Sequence, residues 1–288
     1  MLFACVAMLV ASSAIAEEDV AIEAKGAPNA EKLGWHLGCQ AYTFRLFTFF
    51  EAVEKVQSLG LKYIEAYPGQ SFSPEKPDVR FDHNMSEELR QEALAKLEEC
   101  GVNLVCYGVV GLPPDEAESR KVFEFAKAMG IHTITSEPVF EALDTIEKLA
   151  DEYGINVAIH NHPRPSRYWN PETVLEVVEG RSERIGACAD TGHWARSGIN
   201  PVEALKMLEG RIISFHFKDL NEFGTRDAHD VPWGTGVCDV EGMLREVHRQ
   251  GLTDVVFSVE YEHNWENSLP EIAQSVAYFD KIAAELAN

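Results

Sequence analysis

The sequence predicts an α/β fold, a single-domain (β/α)8 TIM barrel. Three observations carry that prediction. Short apolar runs alternate with longer segments of helical periodicity, the signature of parallel strands joined by crossover helices. Eight such runs can be counted between Leu37 and Glu262, enough to close a barrel. The length of 288 residues suits one eight-fold barrel with a full core. An open doubly wound sheet would usually carry a glycine-rich phosphate loop after its first strand. Here Phe44-Arg45-Leu46-Phe47 stands at that point, and there is no GxGxxG or Walker sequence.

Taken in order, the chain opens with an uncharged apolar run, Leu2 to Val10, followed by Ala14-Ile15-Ala16 and then Glu17-Glu18-Asp19. The run is too short to span a bilayer and ends in a small-x-small pattern. Residues 1–16 therefore read as a secretory signal, and the protein as exported, periplasmic or secreted. Residues 17–32, acidic and alanine-rich, read as a linker, and 33–288 as the barrel. Its predicted strands are Leu37–Phe44, Lys62–Tyr67, Asn103–Val110, Thr133–Pro138, Asn156–Pro163, Ile185–Trp194, Ile212–Asp219 and Val255–Glu262. Predicted helices include Ser86–Glu99, with Ser86 as cap, and Pro114–Met129, with Pro in the first turn. Asn170–Val178, Asn200–Leu208 and Asp239–Gln250 also begin with good helix starters. Gly60, Gly101, Gly130, Gly154, Gly210 and Gly251 each follow a helical segment and precede a strand, the position where a helix ends on a left-handed residue.

The net charge of -22 argues against nucleic acid, whose binders need Lys and Arg to displace counterions. It offers no attraction to anionic lipid, and no segment suits stable membrane insertion. Five cysteines lie beyond the apolar N-terminal run, an odd and scattered set with no CxxC. Cys39, Cys106 and Cys188 fall inside apolar runs and read as small buried hydrophobes. A homo-oligomer is compatible with the sequence.

Chemistry in a barrel sits where strands end. Run four ends in Glu137, run six in Asp190, run seven passes through His216, and run eight through Glu260. Each is in phase with small or hydroxyl side chains, while Ile134, Ala189, Phe215 and Val259 hold the other phase. The ionisable set thus points into the barrel mouth. Three carboxylates converging there would repel one another and lose hydration, which a divalent cation removes. Glu137, Asp190, His216 and Glu260 are accordingly the predicted ligands of one divalent metal. Their oxygen-rich set favours Mn²⁺, with Mg²⁺, Co²⁺ or Zn²⁺ as alternatives. His160 and His162 share the mouth-facing side of run five, as hydrogen-bonding or substrate groups, with His162 also a catalytic base candidate. His193 reads as a substrate contact, Lys218 as an electrophilic or hydroxyl-binding group, and Glu65 as a weaker substrate-binding candidate, with Gln40 and Tyr42 beside it. Trp169, Trp194 and Trp233 fall in strand-end segments, where an aromatic ring can stack on a sugar.

These residues resemble those of the xylose-isomerase-like TIM barrel superfamily, in its sugar phosphate isomerase/epimerase branch. The resemblance rests on Ser136-Glu137-Pro138, Ala189-Asp190-Thr191-Gly192-His193-Trp194, His216-Phe217-Lys218-Asp219, Gly234-Thr235-Gly236 and Val259-Glu260-Tyr261-Glu262. It implies the same four metal ligands, with Glu137 and Glu260 also acting as an acid/base pair on a sugar. Asn221-Glu222 stand where ketose epimerases have a hydroxyl-binding arginine, which Arg226 would have to replace. Endonuclease IV relatives need further histidine ligands, and Tyr67-Pro68-Gly69 and Tyr107-Gly108-Val109 stand in their places.

The expected reaction is isomerisation or epimerisation of a carbohydrate, by proton abstraction next to a carbonyl through an enediolate. Elimination from a 3-keto-glycoside or inosose, with His160 or His162 as base, is the alternative. A third reading is a non-catalytic sugar-binding barrel.

Overall fold

A computed structural model describes residues 25–287. The signal expected over 1–16, and the linker as far as residue 24, lie outside the described residues. The end of the expected linker is corrected: Pro28–Lys32 forms a short helix, α1. It is pinned by Asp280, which accepts from Asn29 N, Asn29 Nδ2 and Ala30 N.

Ten strands follow in chain order: β1 Trp35–Gln40, β2 Tyr63–Ala66, β3 Gln70–Ser73, β4 Lys76–Phe81, β5 Asn103–Tyr107, β6 Thr133–Ser136, β7 Asn156–His160, β8 Ile185–Asp190, β9 Ile212–Phe217 and β10 Val255–Val259. Eight of them close a barrel in the order β1, β10, β9, β8, β7, β6, β5, β2, every neighbour parallel. The fold class is as predicted. β3 and β4 form an antiparallel hairpin outside the barrel, which the sequence reading did not contain.

The helices are α2 Phe49–Ser58, α3 Glu87–Cys100, α4 Glu116–Ala128, α5 Leu143–Tyr153, α6 Pro171–Val178, α7 Thr191–Arg196, α8 Pro201–Met207, α9 Val240–Arg249 and α10 Leu269–Leu286. All of these but α5 and α10 start on a side-chain cap, each worth about 1 kcal/mol. Thr48 and Glu51 make a reciprocal capping box at α2. Asn170 and Asn200 cap α6 and α8 ahead of a proline, as expected. Asp115, not Pro114, sets the start of α4. The six glycines singled out above all have positive φ, from 63° to 80°.

Two boundaries move. Leu37–Phe44 is strand only as far as Gln40, because the Gln40 side chain accepts from Tyr42 N and turns 41–44 into a 3₁₀ segment. Ile185–Trp194 is strand only to Asp190, whose carboxylate caps α7. Trp194 is thereby buried in a helix, and Trp233 packs on Phe217 and Phe279 beneath the barrel wall. Neither can stack on a sugar. Cys39, Cys106 and Cys188 are buried and free, as expected. Among the described residues no helix is long and apolar enough to cross a membrane.

Candidate active site and metal centre

Strand pleating delivers the inner-face side chains to one place at the carboxyl ends. His160 closes β7, Asp190 closes β8, His216 lies in β9 and Glu260 directly follows β10. One ligand atom from each of these four lies within 4.8 Å of the other three. Three of the four expected ligands, Asp190, His216 and Glu260, thus share one group with His160. Glu137 belongs instead to an adjoining group with His160 and His162.

The Asp190-Thr191-Gly192-His193 segment does several jobs at once. Asp190 Oδ1 accepts from His193 N at 2.6 Å to cap α7, which leaves Oδ2 free to face the cluster. Its backbone is clamped by Asn161, which accepts from Asp190 N and donates to Asp190 O. Thr191 Oγ1 bonds both Lys218 N and Lys218 O. Gly192 leaves room for the lysine stem, since a Cβ there would lie 2.7 Å from Lys218 Cδ.

Lys218 is fully buried. Its ammonium donates to Asp190 Oδ2 at 2.5 Å and to Glu260 Oε2, with Glu262 at 3.6 Å. This corrects its expected role: Lys218 compensates carboxylate charge and does not line the cavity. Burial alone would raise Asp190 and Glu260, yet the surrounding lysine and imidazoles hold both well below the usual carboxylate range. Glu65, expected to touch substrate, is likewise fully buried. It accepts from Thr135 Oγ1 at 2.8 Å and Ser258 Oγ at 2.7 Å, with His216 Nε2 at 3.0 Å.

Glu137 Oε1 accepts from His162 N at 2.7 Å and from His162 Nδ1 at 2.6 Å, with His160 Nδ1 at 3.0 Å. Burial works against the ion, but the two histidines outweigh it and bring Glu137 down to about 2. His193 Nδ1 accepts from Arg196 Nη1 at 3.0 Å, so its proton sits on Nε2. Burial, against the pull of Asp190, keeps this imidazole neutral.

A cavity of about 360 Å³ opens beside the cluster, lined among others by Glu260, His162, His193, Glu262, Tyr42 and Tyr67. Of the expected substrate contacts, His162 and His193 line it, while His160 is buried behind. Glu262, Arg196 and Asp230 were not anticipated. Arg196 ties the other two together, donating to Glu262 Oε2 at 2.9 Å and Asp230 Oδ2 at 3.1 Å.

The donor set suits a cation. Carboxylates of Asp190, Asp230, Glu260 and Glu262 face the permanent charges of Lys218 and Arg196, while those of Glu65 and Glu137 face His216 and His160. His160 Nε2 and both His216 nitrogens are buried without an aligned hydrogen-bond partner. Buried imidazole nitrogens left open beside carboxylates are what a divalent metal ion requires. The buried cluster could thus hold one.

Comparison with known proteins agrees with this architecture. The chain is 32% identical over 127 residues to the protein MJ1311 of Methanocaldococcus jannaschii, and spans less than half the length of the curated relatives it matches. Among solved structures, a protein of Parabacteroides distasonis is 33% identical with a TM-score of 0.70, covering 86% of this chain and 99% of that one. A xylose isomerase-like TIM barrel protein of Mycobacterium smegmatis, in complex with magnesium, is 13% identical with a TM-score of 0.69, covering 89% and 99%. The IOLI protein with a bound zinc atom is 18% identical with a TM-score of 0.64, covering 87% and 98%. The profile of the xylose isomerase-like TIM barrel family matches residues 53–282, and the chain belongs to that family.

Proposed function

We propose that this protein is a divalent-metal-dependent isomerase or epimerase of a small carbohydrate, moving a proton on the carbon next to a carbonyl. The observation that carries the reading is the buried group of His160, Asp190, His216 and Glu260, whose ligand atoms lie within 4.8 Å of one another, beside a cavity lined by Glu260, His162 and His193. Asp190, His216 and Glu260 would hold the ion, with Mn²⁺ the first to test and Mg²⁺, Co²⁺ and Zn²⁺ beside it. When bound, the ion supplies Lewis acidity to a carbonyl oxygen and its neighbouring hydroxyl.

The chain's own residues do the rest. Glu260 lies on the cavity wall, and its ionised carboxylate can accept the substrate proton. His162 is the second acid/base group. Its Nδ1 is anchored on Glu137, so Nε2 carries the lone pair. Glu137 itself does not line the cavity, which moves the role implied by the family resemblance from Glu137 to His162. His193 offers its Nε2–H to a substrate hydroxyl, held in that tautomer by Arg196. Return of the proton to the opposite face gives epimerisation, and to the neighbouring carbon isomerisation.

Elimination from a 3-keto-glycoside or inosose is the second reading. It is favoured by the aromatic part of the cavity lining, where the rings of Tyr42 and Tyr67 meet edge to face at 5.2 Å and offer a surface for a leaving group.

The test is incubation with each ion in D₂O against ketoses, inososes and 3-keto-glycosides, read by mass spectrometry and NMR. Metal-dependent deuterium uptake that disappears in Glu260→Gln supports proton abstraction, and product mass separates isomerisation from elimination. Tight metal-dependent sugar binding with no exchange would replace the proposal with a sugar-binding barrel.

A further inference from the structure

Resting on the reading of the cavity as a carbohydrate site, we infer that its substrate is a glycoside. The sugar ring meets Glu260, His162 and His193, and a flat or cyclic aglycone lies against the rings of Tyr42 and Tyr67. A free monosaccharide would leave those two rings unmatched.

The aromatic wall is built from the segment that follows the first strand. Gln40 is buried, donates through Nε2 to Gly108 O at 2.9 Å and accepts from Tyr42 N at 3.1 Å. Thr43 donates to Val259 O at 3.1 Å and accepts from Tyr261 N at 2.9 Å. The backbone around Tyr42 is thereby stitched to the ends of β5 and β10. The side chain is fixed as well. Its hydroxyl accepts from Arg45 Nη1 at 2.7 Å. Its ring meets those of Tyr67 at 5.2 Å and Trp265 at 5.8 Å, nearly perpendicular to both. The Arg45 guanidinium in turn lies 4.0 Å from the Trp265 ring centroid. Tyr67 directly follows β2, and Pro68 lines the cavity beside it.

The cavity lining thus carries two kinds of chemistry. Glu260, His162 and His193 present a carboxylate and imidazole nitrogens, which suit hydroxyls and a carbonyl. The Tyr42 hydroxyl is engaged by Arg45, so what this residue offers a ligand is ring carbon. Tyr107 and Tyr168 are fully buried in the fold, whereas Tyr42 and Tyr67 are partly exposed on the cavity wall. Rings already held in place lose little freedom when a ligand settles on them. Their faces and edges take another ring, aromatic or aliphatic. The volume of about 360 Å³ lies in the range of roughly 300–1,000 Å³ in which proteins receive drug-sized ligands, larger than one sugar ring.

The experiment is calorimetric titration of the full chain, with and without one equivalent of Zn²⁺. The probes are the phenyl and methyl glycosides of glucose, galactose, mannose and xylose, and the four free sugars. For the sugar that binds, the phenyl glycoside should bind about 10-fold more tightly than the methyl glycoside, because ring contact adds to the apolar area it buries. That ratio should fall toward one in Tyr42→Ser and in Tyr67→Ser. A merely structural role for the tyrosines would weaken both glycosides together and leave the ratio standing. Equal affinities in the unaltered protein, a ratio that survives both substitutions, or binding of free sugars alone would overturn the inference. Failure to bind any of the sugars or glycosides would remove both this inference and the carbohydrate reading. The expected ratio without proton exchange in D₂O would keep the inference and remove only the reaction.

Discussion

Lys218→Met is the perturbation whose consequence can be worked furthest from the structure. The side chain is fully buried, and its ammonium is shared by Asp190 and Glu260. Methionine keeps the length of the stem and removes the charge. Two buried carboxylates then face each other without their common cation. Breaking a buried ion pair by removing one partner costs about 3–5 kcal/mol. For a domain of this size that is a fall in Tm of roughly 6–20 °C, at roughly 2–4 °C per kcal/mol. The fall should appear in protein stripped by chelator and shrink when a divalent ion is added, because the ion returns the missing positive charge. Saturation at about 100 times Kd restores about 2.7 kcal/mol. The metal-induced rise in Tm should be larger in the variant than in the unaltered protein, where the ammonium competes for the same oxygens. Differential scanning fluorimetry with and without Zn²⁺ or Mn²⁺ reads both. A metal-free variant within about 2 °C of the unaltered protein would refute the charge argument. An equal metal-induced rise in both proteins would refute the competition.

Other outcomes follow from the same contacts. Burial, opposed by Lys218 and Arg196, raises Asp230 to about 7, and its Oδ1 has no partner. Folding therefore retains a proton there that the unfolded chain releases near pH 4, and this group makes stability fall as pH rises from about 4 to 7. Asp230→Asn should flatten that slope in urea titrations, and an unchanged slope would count against it. Asp219 accepts from the backbone N–H of Leu220, Gly234, Gly236 and Cys238 at 2.9–3.0 Å. Asp219→Ala should cost at least ~3 kcal/mol and expose the 220–238 loop to protease, since hydrogen bonds to a charged group contribute about 1.5–3 kcal/mol each. Separately from these contacts, we propose that residues 1–16 are removed on export, and mass spectrometry of the exported protein should then find Glu17 as the first residue. An intact Met1 terminus in the exported fraction would contradict the signal reading.

The parts legible in the sequence are those governed by strict local rules. Side chains alternate along a strand, so period two put Asp190, His216 and Glu260 on the inner face without any tertiary knowledge. The glycines after helices were legible because a left-handed residue is needed there. Depth across the barrel was not. Glu137 follows the end of β6 and was equated with the other three by its place in the chain, whereas it lies in a second group with His160 and His162, beside the one that His160 shares with Asp190, His216 and Glu260. Lys218 was read as in phase with His216 and Glu65 as a weaker candidate ending its strand, but their partners lie on β6, β8, β10 and directly after β10, so their burial could not be seen from their own strands. The β3–β4 hairpin lacks an apolar alternation and contains Pro77, which demotes a strand. Trp194 was misplaced because an apolar run does not reveal where a cap ends it. Asp190 three residues before His193 carried that signal.

The central claim is that Asp190, His216 and Glu260 hold a divalent ion, and metal stoichiometry tests it most directly. Chelator-stripped protein would be titrated calorimetrically with Zn²⁺ and Mn²⁺, alongside His216→Gln and Asp190→Asn variants whose fold is checked by circular dichroism. The account predicts one ion per chain in the unaltered protein and no stoichiometric binding in either folded variant. Absence of binding in the unaltered protein, or binding that survives both substitutions, would contradict it.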